Sequence, residues 1–93
     1  MFKVIFTSQA DEAYLAMLEY YYHFSIDYAI KLEEKLDELI GNLSRYKNFC
    51  PPSKNSSRLR RCVLTENVSL VYTVDGQTIW VVAVYDSRTD HLF

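Results

Sequence analysis

Apolar and polar positions along this chain change period twice, from two to about 3.6 and back to two, and those changes outline the fold. Phe2-Lys3-Val4-Ile5-Phe6 alternates, with Phe2, Val4 and Phe6 on one face, and predicts a strand. Ser8 follows as an N-cap, with Asp11 three residues on to complete a capping box. Ala10, Ala13, Tyr14, Met17, Leu18 and Tyr21 then recur at helical spacing and predict a first helix running to about Tyr22. Ser25 caps a second helix, with Asp27 in its first turn, where the helix dipole favours an anion. Its apolar stripe is Ala29, Leu32, Leu36, Leu39, Ile40 and Leu43, and Glu33, Glu34, Asp37 and Glu38 form a solvated opposite side.

Residues 45–57 lose all periodicity and hold both prolines, which predicts a loop. Leu59–Leu64 alternates charged and apolar residues, so it reads as a strand with one wet face. Alternation puts Arg60 opposite Arg61, and because Leu59 and Val63 share the Arg61 face, that face is expected to be buried and Arg60 exposed. Val68–Val74 alternates again, and Asp75-Gly76 separates it from Thr78–Tyr85, a hairpin signal. That last run is apolar on both faces and belongs in the middle of a sheet, covered by helices on at least one side. The order is β-α-α-β-β-β: one α+β domain over residues 1–93, a helical hairpin packed on an antiparallel sheet.

Composition narrows the class. Apolar residues make up 49% and aromatics 15%, too much for a disordered chain. No stretch approaches the roughly 20 apolar residues of a membrane helix, and the N-terminus lacks the regions of a signal peptide. A cytoplasmic protein with no membrane contact is the expectation. Cys50 and Cys62 lack CxxC spacing and a nearby histidine, so no metal site is expected and both are read as reduced thiols. With only Gly41 and Gly76, there is no phosphate-binding glycine loop, and nothing calls for a cofactor. Tyr20-Tyr21-Tyr22 is read as core packing with one or two rings outward, rather than as a base-stacking platform.

Charge is divided along the chain. Residues 1–44 hold three Lys against eight acids, a balance of −5, and residues 45–93 hold seven basic residues against four acids, a balance of +3. Arg45, Lys47, Lys54, Arg58, Arg60 and Arg61 follow one another with no acid among them. Three readings stay open for this basic surface: phosphate contact with RNA, neutralisation by the acidic helices, and pairing with acids of a protein partner.

Several segments together resemble a known family. They are Phe6-Thr7-Ser8-Gln9-Ala10 closing the first strand, Tyr20-Tyr21 closing the first helix, and Ala29 opening a helix that ends Leu39-Ile40-x-x-Leu43. Leu59-Arg60-Arg61, Leu70-Val71-Tyr72 with Val74, and Val82-Ala83-Val84-Tyr85-Asp86-Ser87-Arg88 continue the series. In order and spacing, over essentially the whole chain, they resemble the RelE/ParE toxins of type II toxin–antitoxin modules, including those of plasmid-stabilisation systems. The resemblance implies a growth-inhibiting toxin held in a hetero-oligomer by a cognate antitoxin. RelE-like members cleave mRNA at the ribosome, and ParE-like members poison DNA gyrase. For cleavage, the residues to carry proton transfer and phosphate charge are Arg60, Arg61, Arg88 and His91, the last of the residue type that titrates near neutrality and so suited to a general acid. The bland reading of Arg88 is an ion pair with Asp86 or Asp90, and that of His91 a terminal side chain with no role. Two departures from the ribonuclease pattern favour the gyrase-type reading. Ser69 precedes Leu70-Val71-Tyr72, where ribonuclease members often have Arg, and the terminal aromatic is Phe93, which has no hydroxyl. A degenerate member that only binds antitoxin is a third possibility.

Overall fold

The computed structural model of the protein describes residues 1–88. Strand β1 (Lys3–Phe6) leads into α1 (Ser8–Phe24), and α2 (Ile26–Arg45) follows after a single residue. Strands β2 (Pro52–Ser53), β3 (Ser56–Val63), β4 (Val68–Asp75) and β5 (Thr78–Asp86) complete a five-stranded sheet in the order β1-β5-β4-β3-β2. The predicted α+β architecture holds, with one refinement: β1 joins β5 in parallel, Phe6 opposite Val81, so the sheet is mixed. The α1–α2 hairpin is the crossover that returns the chain to the sheet, and β5 lies inside it, as its two apolar faces require.

Local chemistry explains the helix ends. Thr7, not Ser8, caps α1: its extended backbone lets the side chain accept from the Ala10 N–H at 3.2 Å. The Thr7 N–H is still bonded to the Val81 carbonyl, so strand pairing carries the chain one residue further and turns it there. Ser25 serves both helices. Its N–H closes α1 on the Tyr21 carbonyl, and its hydroxyl opens α2 on the Tyr28 N–H at 3.3 Å. The hairpin turn is Gly76-Gln77, one residue later than the Asp-Gly pair suggests, because Asp75 still pairs with Thr78. Gly76 takes φ +59°, a conformation side-chain-bearing residues seldom adopt.

The core lies between the hairpin and one sheet face. Helix α2 contributes Ala29, Leu32, Leu36, Leu39 and Leu43, and the sheet contributes Cys62, Leu70, Tyr72, Ile79, Val81 and Val84. A bulge where Val71 faces Ala83 but Tyr72 faces Val81 leaves Val82 as the extra residue and shifts the alternation of β5. The face without helices carries a smaller cluster of Val71, Ala83 and Tyr85, with Leu59 and Val82 against it.

Two expectations are corrected here. The helix-covered face of β3 is that of Arg60 and Cys62, while Val63 on the Arg61 face is 64% exposed. Cys62 and Leu64 both enter the main core, and they set the parity of the strand against Leu59 and Val63. The cysteines are also not free thiols: Cys50 and Cys62 form a disulfide, with Cα atoms 5.4 Å apart, inside the usual bridging range. Linear spacing says nothing of this, because β2 pairing with β3 is what folds Cys50 back onto Cys62. Part of the expected loop is thereby ordered. Pro52–Ser53 pairs at the sheet edge, a place where proline's missing donor costs no ladder bond. No helix is long and apolar enough to cross a membrane.

Candidate functional site

The basic residues predicted from sequence fall in two zones. Arg45 is exposed in the last turn of α2, where a cation suits the helix dipole. Lys47 is exposed with its Nζ 5.9 Å from the centre of the Phe2 ring, within cation–π range. Lys54 stands exposed in the turn between β2 and β3, and Arg58 is exposed on β3. These four are the exposed members of the basic run.

Arg60 and Arg61 are half-buried and occupied. Arg60 lies on the helix-covered side and donates to the Cys50 carbonyl at 2.6 Å, fastening the loop that precedes β2. Arg61 lies on the opposite side and donates through Nε to the Tyr85 hydroxyl at 2.8 Å. One arginine therefore braces the loop while the other joins a cation to a buried phenol on the helix-free face.

Arg88 sits in the turn after β5, in a node that links that strand to α1. It forms an ion pair with Asp86 at 2.9 Å, donates to the Tyr21 hydroxyl, and lies 6.0 Å from the Tyr21 ring centre. The Tyr21 hydroxyl in turn donates to the Asp86 carboxylate. The predicted Asp86 pair is thus present; Asp90, His91 and Phe93 lie outside the described residues. Beside the node runs a groove of about 690 Å³ between α1 and the end of β5, walled by Ala13, Ala16, Met17, Tyr20 and Val84. Ala13, expected on the buried stripe, lines this open groove instead. Of the three tyrosines, Tyr21 is core and Tyr20 and Tyr22 are exposed.

The node polarises its members. The hydrogen bond from Arg88 outweighs desolvation and holds the Asp86 carboxyl down at about 2, and Asp86 in return raises the Arg88 guanidinium. Burial, then the bond to Asp86, pushes the Tyr21 phenol up to about 12. Because the folded carboxyl is depressed, its stabilisation is complete above the unfolded value near 3.8 and is lost as pH falls through about 2. Asp86→Asn is expected to cost about 2 kcal/mol at pH 7, from the size of that shift. In urea titrations the gap from the parent chain should narrow below about pH 4. A gap that stays constant down to pH 2.5 would rule out a carboxylate role. The phenol acts at the other limit: its contribution is whole below pH 10 and disappears towards 12.

The structure does not gather the three described residues proposed for cleavage into one place. Arg60 and Arg61 point to opposite sides of the sheet, Arg88 is held at the α1 groove, and His91 is outside the described residues. Sequence reasoning assigned no role to Tyr21, Tyr72, Tyr85 or the disulfide. All three tyrosines carried a signal only as members of the segments that resemble the family, and the disulfide carried none.

Comparisons with known proteins agree with this architecture. The family model for the ParE toxin of the type II toxin–antitoxin system parDE matches residues 4–91. A chromosomal ParDE system structure from P. aeruginosa is 18% identical, with a TM-score of 0.75, covering 92% of this chain and 96% of that one. A YoeB/ParE toxin from Agrobacterium tumefaciens is 20% identical at a TM-score of 0.65, covering 90% and 96%. A YoeB–YefM complex from Staphylococcus aureus contains a chain 21% identical at 0.61, covering 90% and 94%. No curated protein sequence matches significantly. With the match spanning nearly every element described above, the chain belongs to the ParE toxin family of type II toxin–antitoxin systems.

Proposed function

We propose that this toxin inhibits growth by binding DNA gyrase, in the manner of ParE-like members, and that it does so without cleaving RNA. The observation that carries the reading is the sheet face where an RNA-cleaving site would need clustered cations. Ser69 is 2% exposed on β4, pairing with Tyr85 and Val63, at the position where an arginine would otherwise project. Arg60 is turned away to the loop carbonyl, so the two adjacent arginines cannot grip one phosphate. A cognate antitoxin completes the module as a hetero-oligomer in the bacterial cytoplasm; the solved YoeB–YefM complexes are of that kind. The exposed Arg45, Lys47, Lys54 and Arg58 are the residues proposed to face a charged partner, target or antitoxin. A role in plasmid stabilisation follows if the module is plasmid-borne.

Induced expression of the chain alone is expected to arrest bacterial growth and raise a DNA-damage response, and co-expression of the adjacent small antitoxin gene should restore growth. Normal growth at confirmed expression of folded protein would sink the toxin reading. The Arg61–Tyr85 pair is the feature among the described residues that favours mRNA cleavage, a cation against a phenol on the open face. Primer extension on mRNAs from induced cells decides between the branches. Discrete cuts within codons, abolished by Arg61→Ala, Arg88→Ala or His91→Ala, would replace gyrase by the ribosome as target.

A further inference from the structure

We infer that the Cys50–Cys62 disulfide is an exchange site for a small anionic thiol, and that its opening releases the loop between α2 and β3. Both cysteines are nearly buried, at 6% and 2% exposure, yet both line one cavity of about 490 Å³. Its walls include Phe49, Pro51, Lys54 and Arg61, and among the described residues the lining holds two cations and no acid. A passage of that size admits a short peptide thiol, and the two cations attract its carboxylates.

Exchange proceeds in two balanced steps. A thiolate attacks Sγ of Cys50, the more exposed partner; a mixed disulfide forms and the S–S electron pair leaves with Sγ of Cys62. Alternation places Arg60 on the same side of β3 as Cys62, and its guanidinium is bonded to the Cys50 carbonyl at 2.6 Å. A second thiolate then attacks the mixed disulfide, releasing Cys50 and the oxidised small-molecule disulfide, so two thiols are oxidised and one protein disulfide is reduced. The chain has two cysteines in all, so no third thiol traps an intermediate.

What the bridge holds is otherwise lightly fastened. Strand β2 has two residues and a register irregularity, and the hydrogen bonds that tie the segment to the sheet are the Arg60 bond to the Cys50 carbonyl, the Arg61 N–H to the Pro51 carbonyl at 3.1 Å, and those of the Tyr72 hydroxyl. Opening the bridge loosens the segment that joins Lys47 and Lys54, and so changes the shape of the basic surface. In a reducing compartment a disulfide open to small thiols is poised for control rather than for permanent stapling.

The test uses the oxidised full chain and reads chemistry rather than toxicity, so its outcome is independent of the gyrase reading. Reduced glutathione and 2-mercaptoethanol are compared at matched thiolate concentration, with free cysteines trapped by iodoacetamide and counted by intact mass. The expected rate is linear in thiol and about tenfold higher for the anionic thiol at low salt, an advantage removed by about 0.5 M salt. Lys54→Glu should remove that advantage and leave the neutral thiol's rate unchanged. Hydrogen exchange on the reduced chain should rise at least about tenfold at residues 48–53 while β4 and β5 stay protected. Equal rates for the two thiols, a rate independent of thiol concentration, or unchanged exchange at 48–53 would each overturn the proposal, as would loss of protection throughout the sheet.

Discussion

Replacing Tyr72 by alanine is expected to cost about 4 kcal/mol, and replacing it by phenylalanine about 2 kcal/mol. Tyr72 is the largest fully buried side chain, at 0% exposure, and faces Arg60 on one neighbouring strand and Val81 on the other. Its ring fills the space between sheet and hairpin, so alanine leaves a cavity that the surrounding strands can only partly close. Its hydroxyl has a separate task. It donates to the Lys47 carbonyl at 2.7 Å and accepts from the Cys50 N–H at 3.4 Å, satisfying two backbone groups of the loop that leaves α2. Phenylalanine keeps the packing and strands those groups, which is why the second loss is smaller but still large. Urea unfolding of the parent chain, Tyr72→Phe and Tyr72→Ala at neutral pH separates the two contributions, provided the m-values agree. A Tyr72→Phe variant within about 0.5 kcal/mol of the parent would show that water replaces the hydroxyl and that the loop does not depend on it.

Opening the disulfide should lower stability by about 3 kcal/mol, which for a domain of this size is a melting shift on the order of 15 °C. The bridge spans 12 positions, and in the chain-entropy account closing a loop of that length restricts the unfolded ensemble by this amount. The folded state keeps its other ties to the loop, through Tyr72 and Arg60, so the loss falls mainly on the unfolded side of the equilibrium. Thermal unfolding with and without reductant measures the effect directly. The double variant Cys50→Ala/Cys62→Ala should melt near the reduced parent and ignore the reductant. An oxidised parent that melts with the double variant would remove the bridge from the stability of the domain, whatever its exchange chemistry. Because the expected loss is smaller than the stability of an ordinary domain, the reduced chain remains folded, as the local loosening of residues 48–53 requires.

The two effects converge on one segment, residues 46–53, and that has a bearing on the basic surface. Lys47 lies within it and Lys54 directly follows it, Arg60 and Arg61 brace it from β3, and Tyr72 holds it from β4. Substitution of Arg60 therefore disturbs loop anchoring as well as charge. Lys54 and Arg58, exposed and carrying no described side-chain bond to the loop, are the cleaner positions at which to ask whether charge alone matters for partner binding.

Periodicity in the sequence determined both helices, four of the five strands and their order, because the spacing of apolar residues is a local property; it missed the two-residue β2, which has no period of its own. The α2 stripe of Ala29, Leu32, Leu36, Leu39 and Leu43 is the buried stripe in the fold, and the Ser25 cap is where the helices part. The central place of β5 followed from its two apolar faces. Tertiary structure alone decided which residues meet. Tyr21 and Asp86 are 65 positions apart and Arg61 and Tyr85 are 24 apart, and no local pattern specifies such partners. The same holds for the face of β3: Leu59 and Val63 favoured one parity and Cys62 and Leu64 the other, and only packing against the hairpin chose between them. The disulfide belongs to this second class, since two cysteines without a motif become a bridge when a two-residue strand folds one onto the other.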